Sequence, residues 1–463
     1  MLMRPLLFLL VLALAAGCDR APLEQVGPEI EVVSPNLGVA LESPLLTLRV
    51  RARRGSRIES VRVNGVEAER SIDDLFISEI RAAEAGLIPL EIVATGSSGA
   101  DNTLSTAALY LPYAFASVAL PDFGVTGEHA AARLPDGRVL VAGGVPTPDG
   151  DATRAAYTIG SDFQPVPTDS LLTPRAGHTM TALPDGRVLV LGGATRAFPS
   201  GPDGLGLDDL VDTAEVFDPV AGRFLPVTLA LRDPIRRTQH TAVAVPLVGG
   251  SAALYLTGGE GFAGLRGGQP VFGPISTLRR LRYEPGEDGG GGRLVQDNAD
   301  PTDGPRVDYF VEHAESAVAG APGVTAIVGA KDSLSGFTDT SFRALYGAQT
   351  ADSRLFPLPD PPRVSEGQPP LVRAGHAGAP GLADLAVFTG GRRPGDAART
   401  PIATTTVYAD PPRMRFVLPE SGALQVPRWG HTATSVGDGR ILIIGGFDAG
   451  GEPARLVELF GPF

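Results

Sequence analysis

Six histidines are the side chains of this 463-residue chain best suited to chemistry: His129, His178, His240, His313, His376 and His431. Imidazole is the commonest metal ligand and titrates near neutrality, so six of them could build a metal centre or supply a general base. Their spacing points elsewhere. Pro174-Arg175-Ala176-Gly177-His178-Thr179 returns as Val372-Arg373-Ala374-Gly375-His376-Ala377 and as Pro427-Arg428-Trp429-Gly430-His431-Thr432. Every histidine opens such a repeat and is followed, 14 to 18 residues later, by an apolar run that ends in a glycine pair. The pairs are Gly143-Gly144, Gly192-Gly193, Gly258-Gly259, Gly390-Gly391 and Gly445-Gly446; the fourth repeat departs, with Gly329-Ala330. One histidine at the same register point of six repeats is what a structural role produces: a side chain that satisfies backbone at each junction. All six are read as structural, with no metal site; a ring of channel ligands is the alternative.

Other constellations are thin. Gly259-Glu260-Gly261-Phe262-Ala263-Gly264 matches GxGxxG, but Leu265-Arg266-Gly267-Gly268-Gln269-Pro270 reads as a turn, not as the helix that would carry a pyrophosphate. HExxH, a Walker A loop and a nucleophile-elbow serine are absent from the sequence. Lys331, the one lysine, is the single Schiff-base candidate and lies beside Gly329-Ala330. Asp149/Asp151 and Asp208/Asp209 read as solvated turn acids, with weak calcium binding as the alternative. No catalytic constellation emerges, so neither an enzyme nor a cofactor is expected. The net charge of −13 argues against a nucleic-acid partner.

The single cysteine, Cys18, excludes a disulfide framework and a Cys-type zinc site. Residues 1–17 have a charged start at Arg4 and an apolar run from Leu6 to Ala16, too short to span a bilayer and suited to a secretory signal. Leu14-Ala15-Ala16-Gly17-Cys18 resembles the lipobox of bacterial lipoproteins. The resemblance implies cleavage after Gly17, diacylglycerol on Cys18 and a stable anchor in a membrane of a bacterial cell envelope, inner or outer.

Residues 18–27 read as a tether, and residues 28–113 as a small β-sandwich of short alternating segments: Glu29–Ser34, Leu46–Arg51, Ile58–Val63, Leu75–Ile80, Ile88–Ala94 and Thr103–Leu111. Asn64-Gly65 suits a type I′ hairpin turn. The run Leu87–Gly96 resembles the last strands of bacterial Ig-like modules, which implies an Ig-like sandwich serving as a spacer.

Residues 114–463 hold the repeats. Asp136-Gly137, Asp185-Gly186 and Asp438-Gly439 predict a hairpin between each histidine and its glycine pair. An aromatic residue marks a third strand (Tyr157, Phe217, Tyr283, Tyr346, Tyr408, Phe460), and Phe163, Phe224, Leu294, Phe356 or Phe416 an outer fourth. Four strands in this order resemble the kelch repeat, with Phe or Leu where kelch repeats usually place Trp, and with a Gly-rich insertion at Gly286–Gly292. The resemblance implies an all-β, six-bladed kelch-type β-propeller. The sixth repeat has no outer strand of its own, and Phe115–Pro121 is expected to supply it, closing the ring.

A kelch-like propeller beside an Ig-like domain also resembles the galactose oxidase family. Its copper cofactor needs a Cys–Tyr crosslink, which Cys18, assigned to lipid, cannot make. The function expected is that of a lipid-anchored envelope protein whose long loops, such as Ala194–Asp212 and Glu260–Ser276, bind a protein or glycan. The alternative is a carbohydrate-active enzyme with a site in the central depression.

Overall fold

Short apolar runs closed off by Gly, Pro, Asn and Asp can satisfy their backbone only by pairing side by side, and this chain does so throughout. The structure, a computed structural model, describes residues 27–461 apart from 54–56, 73, 113, 120–123, 125, 198–204, 276–277, 288, 298–309, 318–323, 332–337, 346–353, 358–372, 382–384, 394–395, 397, 410–413 and 418–421. The signal segment, with Gly17 and Cys18, and the third-strand marker Tyr346 lie outside the described residues. The fold is all-β, with described helix confined to single turns such as Leu207–Asp209. No described helix is long and apolar enough to cross a membrane.

The chain divides into two compact bodies. One comprises Met1–Pro35, Thr47–Ile80 and Pro89–Thr106; the other comprises Asn36–Leu46, Arg81–Ile88 and Ala107–Phe463. Strands between Glu29 and Tyr110 form two four-stranded sheets. In spatial order the first is Glu29–Ser34, Leu45–Arg53, Leu75–Arg81 and Glu69–Arg70; the second is Val66–Glu67, Ile58–Val63, Gly86–Gly96 and Asp101–Tyr110. Alternate residues of Leu45–Arg53 are buried, as a strand with one face on a core requires. Asn64 and Gly65 both have positive φ, 51° and 79°, and the hairpin they close pairs Val63 with Val66.

In the larger body each repeat folds into an antiparallel meander. The first runs Ala130–Arg133, Val139–Ala142, Ala156–Ile159, Pro165–Pro167. The fourth is Phe310–Ala317, Val324–Lys331, Thr338–Leu345, Arg354–Pro357, and the fifth Ala377–Pro380, Ala386–Thr389, Thr405–Ala409, Met414–Val417. Two more, Thr179–Ala182, Val188–Leu191, Ala214–Asp218, Arg223–Ala230 and Thr241–Pro246, Ala252–Thr257, Arg279–Glu284, Arg293–Gln296, merge into one eight-stranded sheet. The outer strands of those two pair in parallel, Thr228 with Arg293 and Ala230 with Val295. The glycine insertion permits this: a Cβ on Gly291 would collide with the Pro226 carbonyl.

First strands of successive meanders neighbour one another, and Thr432–Gly437 of the last neighbours Ala130–Arg133 of the first, a propeller-like arrangement. Second strands such as Val139–Ala142 and Val188–Leu191 are buried at every position because each face serves a different neighbour. Val139 and Val141 pack with Leu442 and Ile444 of the sixth repeat, while Leu140 and Ala142 pack with Val188 and Val190 of the second.

The sixth meander, Thr432–Gly437, Arg440–Ile444 and Leu456–Gly461, takes its outer strand from Ala114–Ala119, with Phe460 opposite Phe115 and Leu456 opposite Ala119. The sequence misplaced Phe163, which lies in a turn at φ 56° ahead of the outer strand Pro165–Pro167; its amide donates to the Gly160 carbonyl (3.1 Å). The fourth repeat departs as its sequence does: Gly329-Ala330 stays inside a strand, paired with Thr340 and Asp339, and makes no turn.

Replacing Ala114–Ala119 with an alternating Gly-Ser hexapeptide keeps the chain length and removes the strand propensity. The expected result is faster amide exchange along Leu456–Gly461 and a melting temperature lower by several degrees, since six ladder pairs are weakened. Hydrogen-exchange mass spectrometry and a thermal melt check it.

Candidate functional site

A left-handed kink precedes each of five histidines. Glu128, Gly177, Gln239, Gly375 and Gly430 have φ between 53° and 64°. The kinked residues hydrogen-bond to one another from repeat to repeat. The Gly430 amide donates to the Gly375 carbonyl (2.7 Å), Glu128 to Gly430 (2.7 Å), Gly177 to Glu128 (2.8 Å) and Gln239 to Gly177 (2.8 Å). Glycine at three of the positions leaves room for side chains at the other two. Gln239 Nε2 lies 2.8 Å from where a Gly177 Cβ would stand, and Glu128 Cγ lies 3.5 Å from that of Gly430.

Four of the described imidazoles, those of His129, His178, His240 and His431, are then gripped between two glycines. A Cβ on Gly143 would stand 2.6 Å from His178 Cε1; the same relation holds for Gly192 and His240 (2.8 Å), Gly390 and His431 (2.6 Å), and Gly445 and His129 (2.6 Å). The second glycine of a pair supports the histidine of its own repeat: Gly144, Gly193, Gly259, Gly391 and Gly446 would each place a Cβ 2.8 Å from that histidine's Cβ. All ten glycines of these pairs also have positive φ, so the position demands glycine twice over.

His129, His178, His240, His376 and His431 are 5–6% exposed. His129 Nδ1 donates to the Thr126 carbonyl (2.9 Å), which leaves Nε2 to accept from the Thr432 hydroxyl (3.0 Å). Burial pushes its pKa down to about 4, against the pull of the Thr126 carbonyl. Burial, with Arg175 or Arg428 nearby, holds His178 and His431 well below the ordinary value. At neutral pH these rings are uncharged. His313 lies within the strand Phe310–Ala317, and its side chain is outside the described set.

A feature the sequence reading passed over lies three residues before the histidine. Arg175, Arg373 and Arg428 are 0–2% exposed, and each donates through Nη1 to the first glycine carbonyl of its own repeat: Gly192 (2.9 Å), Gly390 (3.3 Å), Gly445 (3.2 Å). Arg175 and Arg428 also pair with Glu215 and Glu458 at 2.6 Å, both carboxylates being fully buried on third strands. A buried ion pair is favoured when its remaining groups are bonded, and here most are, Arg175 Nε being the exception. Glu215 accepts from the Leu172 amide and Glu458 from the Gln425 amide, each at 2.7 Å. The visible signal was Arg three residues before His, and Glu two before the third-strand aromatic.

The kinked residues and the five histidines line a cavity of about 100 Å³. Among the described lining residues none is Ser, Thr, Cys or Lys, and the one carboxylate is that of Glu128. Connections from second to third strands leave the glycine pairs and so gather at this end of the body. Trp429 is buried there beneath Arg392 (5.2 Å) and Arg399 (5.5 Å) and against Phe447; Arg399 reaches on to the Pro148 carbonyl (3.1 Å) and Asp149 (2.9 Å). Asp149 and Asp209 are thus in ion pairs, Asp209 with Arg196 (3.1 Å). No group of three or more His, Cys, Asp or Glu among the described residues is arranged to hold a metal ion.

The GxGxxG segment is strand Glu260–Arg266. It turns at Gly267-Gly268 into Gln269–Pro274 and pairs back onto Arg237–Thr238, with no helix for a phosphate to meet. Compared with known proteins, the chain matches no family model and no curated sequence.

Gly143→Ala is expected to destabilise by about 2–4 kcal/mol, since a Cβ at φ 71° would meet both the Arg175 carbonyl and His178. Gly222→Ala, at φ 65° with open space around it, should cost about 1 kcal/mol; urea unfolding of the two variants gives the comparison.

Acid should act through the same rings. Below pH 6.5 the unfolded chain takes up a proton on His129 that the folded chain refuses until about 4. Stability therefore falls as pH drops through that window, by up to about 3 kcal/mol from this residue, with His178 and His431 adding in the same direction. Melting temperature followed from pH 7 to 4 should fall less steeply in His129→Gln than in the parent.

Proposed function

We propose that this chain is a lipid-anchored protein of a bacterial cell envelope. In this reading a six-bladed kelch-type propeller, carried on an Ig-like spacer, holds a protein or glycan ligand. Successive four-stranded meanders, first strands neighbouring in a ring and a sixth sheet completed from the N-terminal side support the propeller. The two N-terminal sheets and their alternating burial support the spacer. Leu14–Cys18 supports acylation of Cys18 after cleavage at Gly17.

The observation that carries binding over catalysis is the division of labour around the cavity. The described histidines are buried, and those with resolved shifts are neutral and gripped by glycine, so they hold the frame and do not poise an acid or base. What varies is the loop end: the hairpin Glu260–Pro274 with Phe262 44% exposed, and the segment from Ala194 to Asp212. Variable loops on a rigid scaffold are where recognition resides.

Full-length protein in native envelopes, cross-linked and compared with a variant whose residues 260–274 become a short Gly-Ser turn, tests this together with a glycan array. The expected outcome is a discrete protein or glycan partner lost in the variant at unchanged melting temperature, with an acyl mass on Cys18. Turnover of a glycan without retention, or an unmodified Cys18, would overturn the corresponding half of the proposal.

A further inference from the structure

The hydrogen bonds that run from repeat to repeat around the hub are made by main chain alone, and at Gly177, Gly375 and Gly430 glycine makes them. Two repeats place a side chain at the same point. Glu128 and Gln239 hold the left-handed conformation at φ 55° and 53°, where a residue with a Cβ is less stable than glycine. The kink does not call for these side chains, so what they add lies in the hub itself.

Both reach across a neighbouring glycine. Glu128 Cγ comes 3.5 Å from where a Gly430 Cβ would stand, and Gln239 Nε2 2.8 Å from that of Gly177. All four residues line the central cavity. Glu128 is 8% exposed and brings the one carboxylate among the described lining residues, none of which is Lys or Arg. The lining imidazoles with resolved shifts are uncharged at neutral pH. Behind them Arg175 and Arg428 turn their guanidinium groups to glycine carbonyls and to Glu215 and Glu458, away from the cavity. The fourth repeat carries Glu312 immediately before His313, the position that Glu128 holds before His129.

Size narrows the ligand. Pockets that enclose a whole small molecule measure about 300–1,000 Å³, and this cavity is about 100 Å³. It takes a head group and a short length of stem, not a sugar ring. A primary ammonium suits it: a compact positive charge for the Glu128 carboxylate, three N–H donors and a narrow methylene stem. The Gln239 carboxamide offers a second acceptor. The cavity lies at the end where connections from second to third strands gather, within reach of a ligand held by those loops. We propose that the hub receives a lysine side chain: a protein partner held by the loops inserts a primary ammonium that pairs with Glu128 and bonds to Gln239. This assignment rests on the reading of the loops as a binding surface, and it selects a protein over a glycan.

Three probes separate the chemistry: n-butylammonium for the lysine head, n-butanol for its neutral counterpart and butyrate for the opposite charge. Titrated into full-length, ¹⁵N-glycine-labelled protein, n-butylammonium should give saturable shifts at Gly177 and Gly430, and the other two should not. Glu128→Gln keeps the shape, and Gln239 already occupies the equivalent kink; this variant should bind about tenfold more weakly or worse at unchanged melting temperature. Gln239→Glu adds a carboxylate and should tighten binding. The proposal is overturned if n-butanol binds as well as the ammonium, if butyrate binds in its place, or if neither substitution alters the affinity. Cross-linking in native envelopes separates this site from the loop reading. A partner lost with the hairpin 260–274 but captured equally by Glu128→Gln overturns the lysine site alone. Selective n-butylammonium binding without any captured partner upholds the ammonium site and overturns the loop surface.

Discussion

The contact on which the larger body depends is the Cε1 edge of an imidazole set against the first glycine of the preceding repeat. The same side chain's Cβ rests on the second glycine of its own repeat. One flat ring thus fixes the spacing between two sheets, and no side chain larger than hydrogen fits at either glycine. The left-handed φ of both glycines turns the chain out of the second strand at that point, so close approach and turn are met by the same pair. The fourth repeat shows the converse. With Ala330 in place of a second glycine, its strand runs straight on to Lys331 and the turn is absent.

A second device makes the first rigid. In two repeats the arginine three residues before the histidine reaches the carbonyl of the very glycine that must stay turned, and its Nη2 ties that turn to the third strand. Where the first repeat has Thr126 instead, its hydroxyl donates to the equivalent carbonyl of Gly143 at 3.0 Å. A shorter side chain thus performs the same bond without a buried charge. Arg373 lies between these cases, closing on the Thr406 hydroxyl at 2.7 Å where its counterparts meet a carboxylate. The recurring requirement is the bond to the glycine carbonyl, and the ion pair is one way of completing the far end of a buried guanidinium.

Strand positions were legible because two-residue alternation and Gly, Asp and Asn punctuation are local signals. Glu29–Ser34 and Ile58–Val63 have the limits their sequence suggests, and Phe115–Ala119 joins the last sheet as its resemblance to other outer strands implies. The register of the histidines predicts that they share one role. It could not show what the ring edges touch, because the glycine set against each Cε1 belongs to the preceding repeat, tens of residues away. Phe163 was misplaced for a related reason: its aromatic character suits a strand, but Gly160 and Asp162 build a turn that carries it before the pairing begins. The parallel pairing of Thr228 with Arg293 had no local signal beyond the unexplained run Gly286–Gly292. Only when Gly291 is seen under the Pro226 carbonyl does that composition acquire a cause.

Rigidity at the hub and variation at the rim follow from the same repeat. Replacing His129, His178, His240 or His431 loosens the joint between two sheets, because each is enclosed by glycines. The resolved rings also hold their protons on terms set by burial. The loops that leave the glycine pairs carry no such obligation. One is the short span between Gly144 and Ala156, another is extended by the hairpin from Glu260 to Pro274, and a third is pinned over Trp429 by Arg399. They share a starting point fixed to within a hydrogen bond, and they differ in everything beyond it. A fold that concentrates its strict requirements in Arg, His and a glycine pair leaves the chain free to alter these loops without touching its core. That is why the recurring residues reveal the architecture, while any specificity must be sought in segments that do not recur.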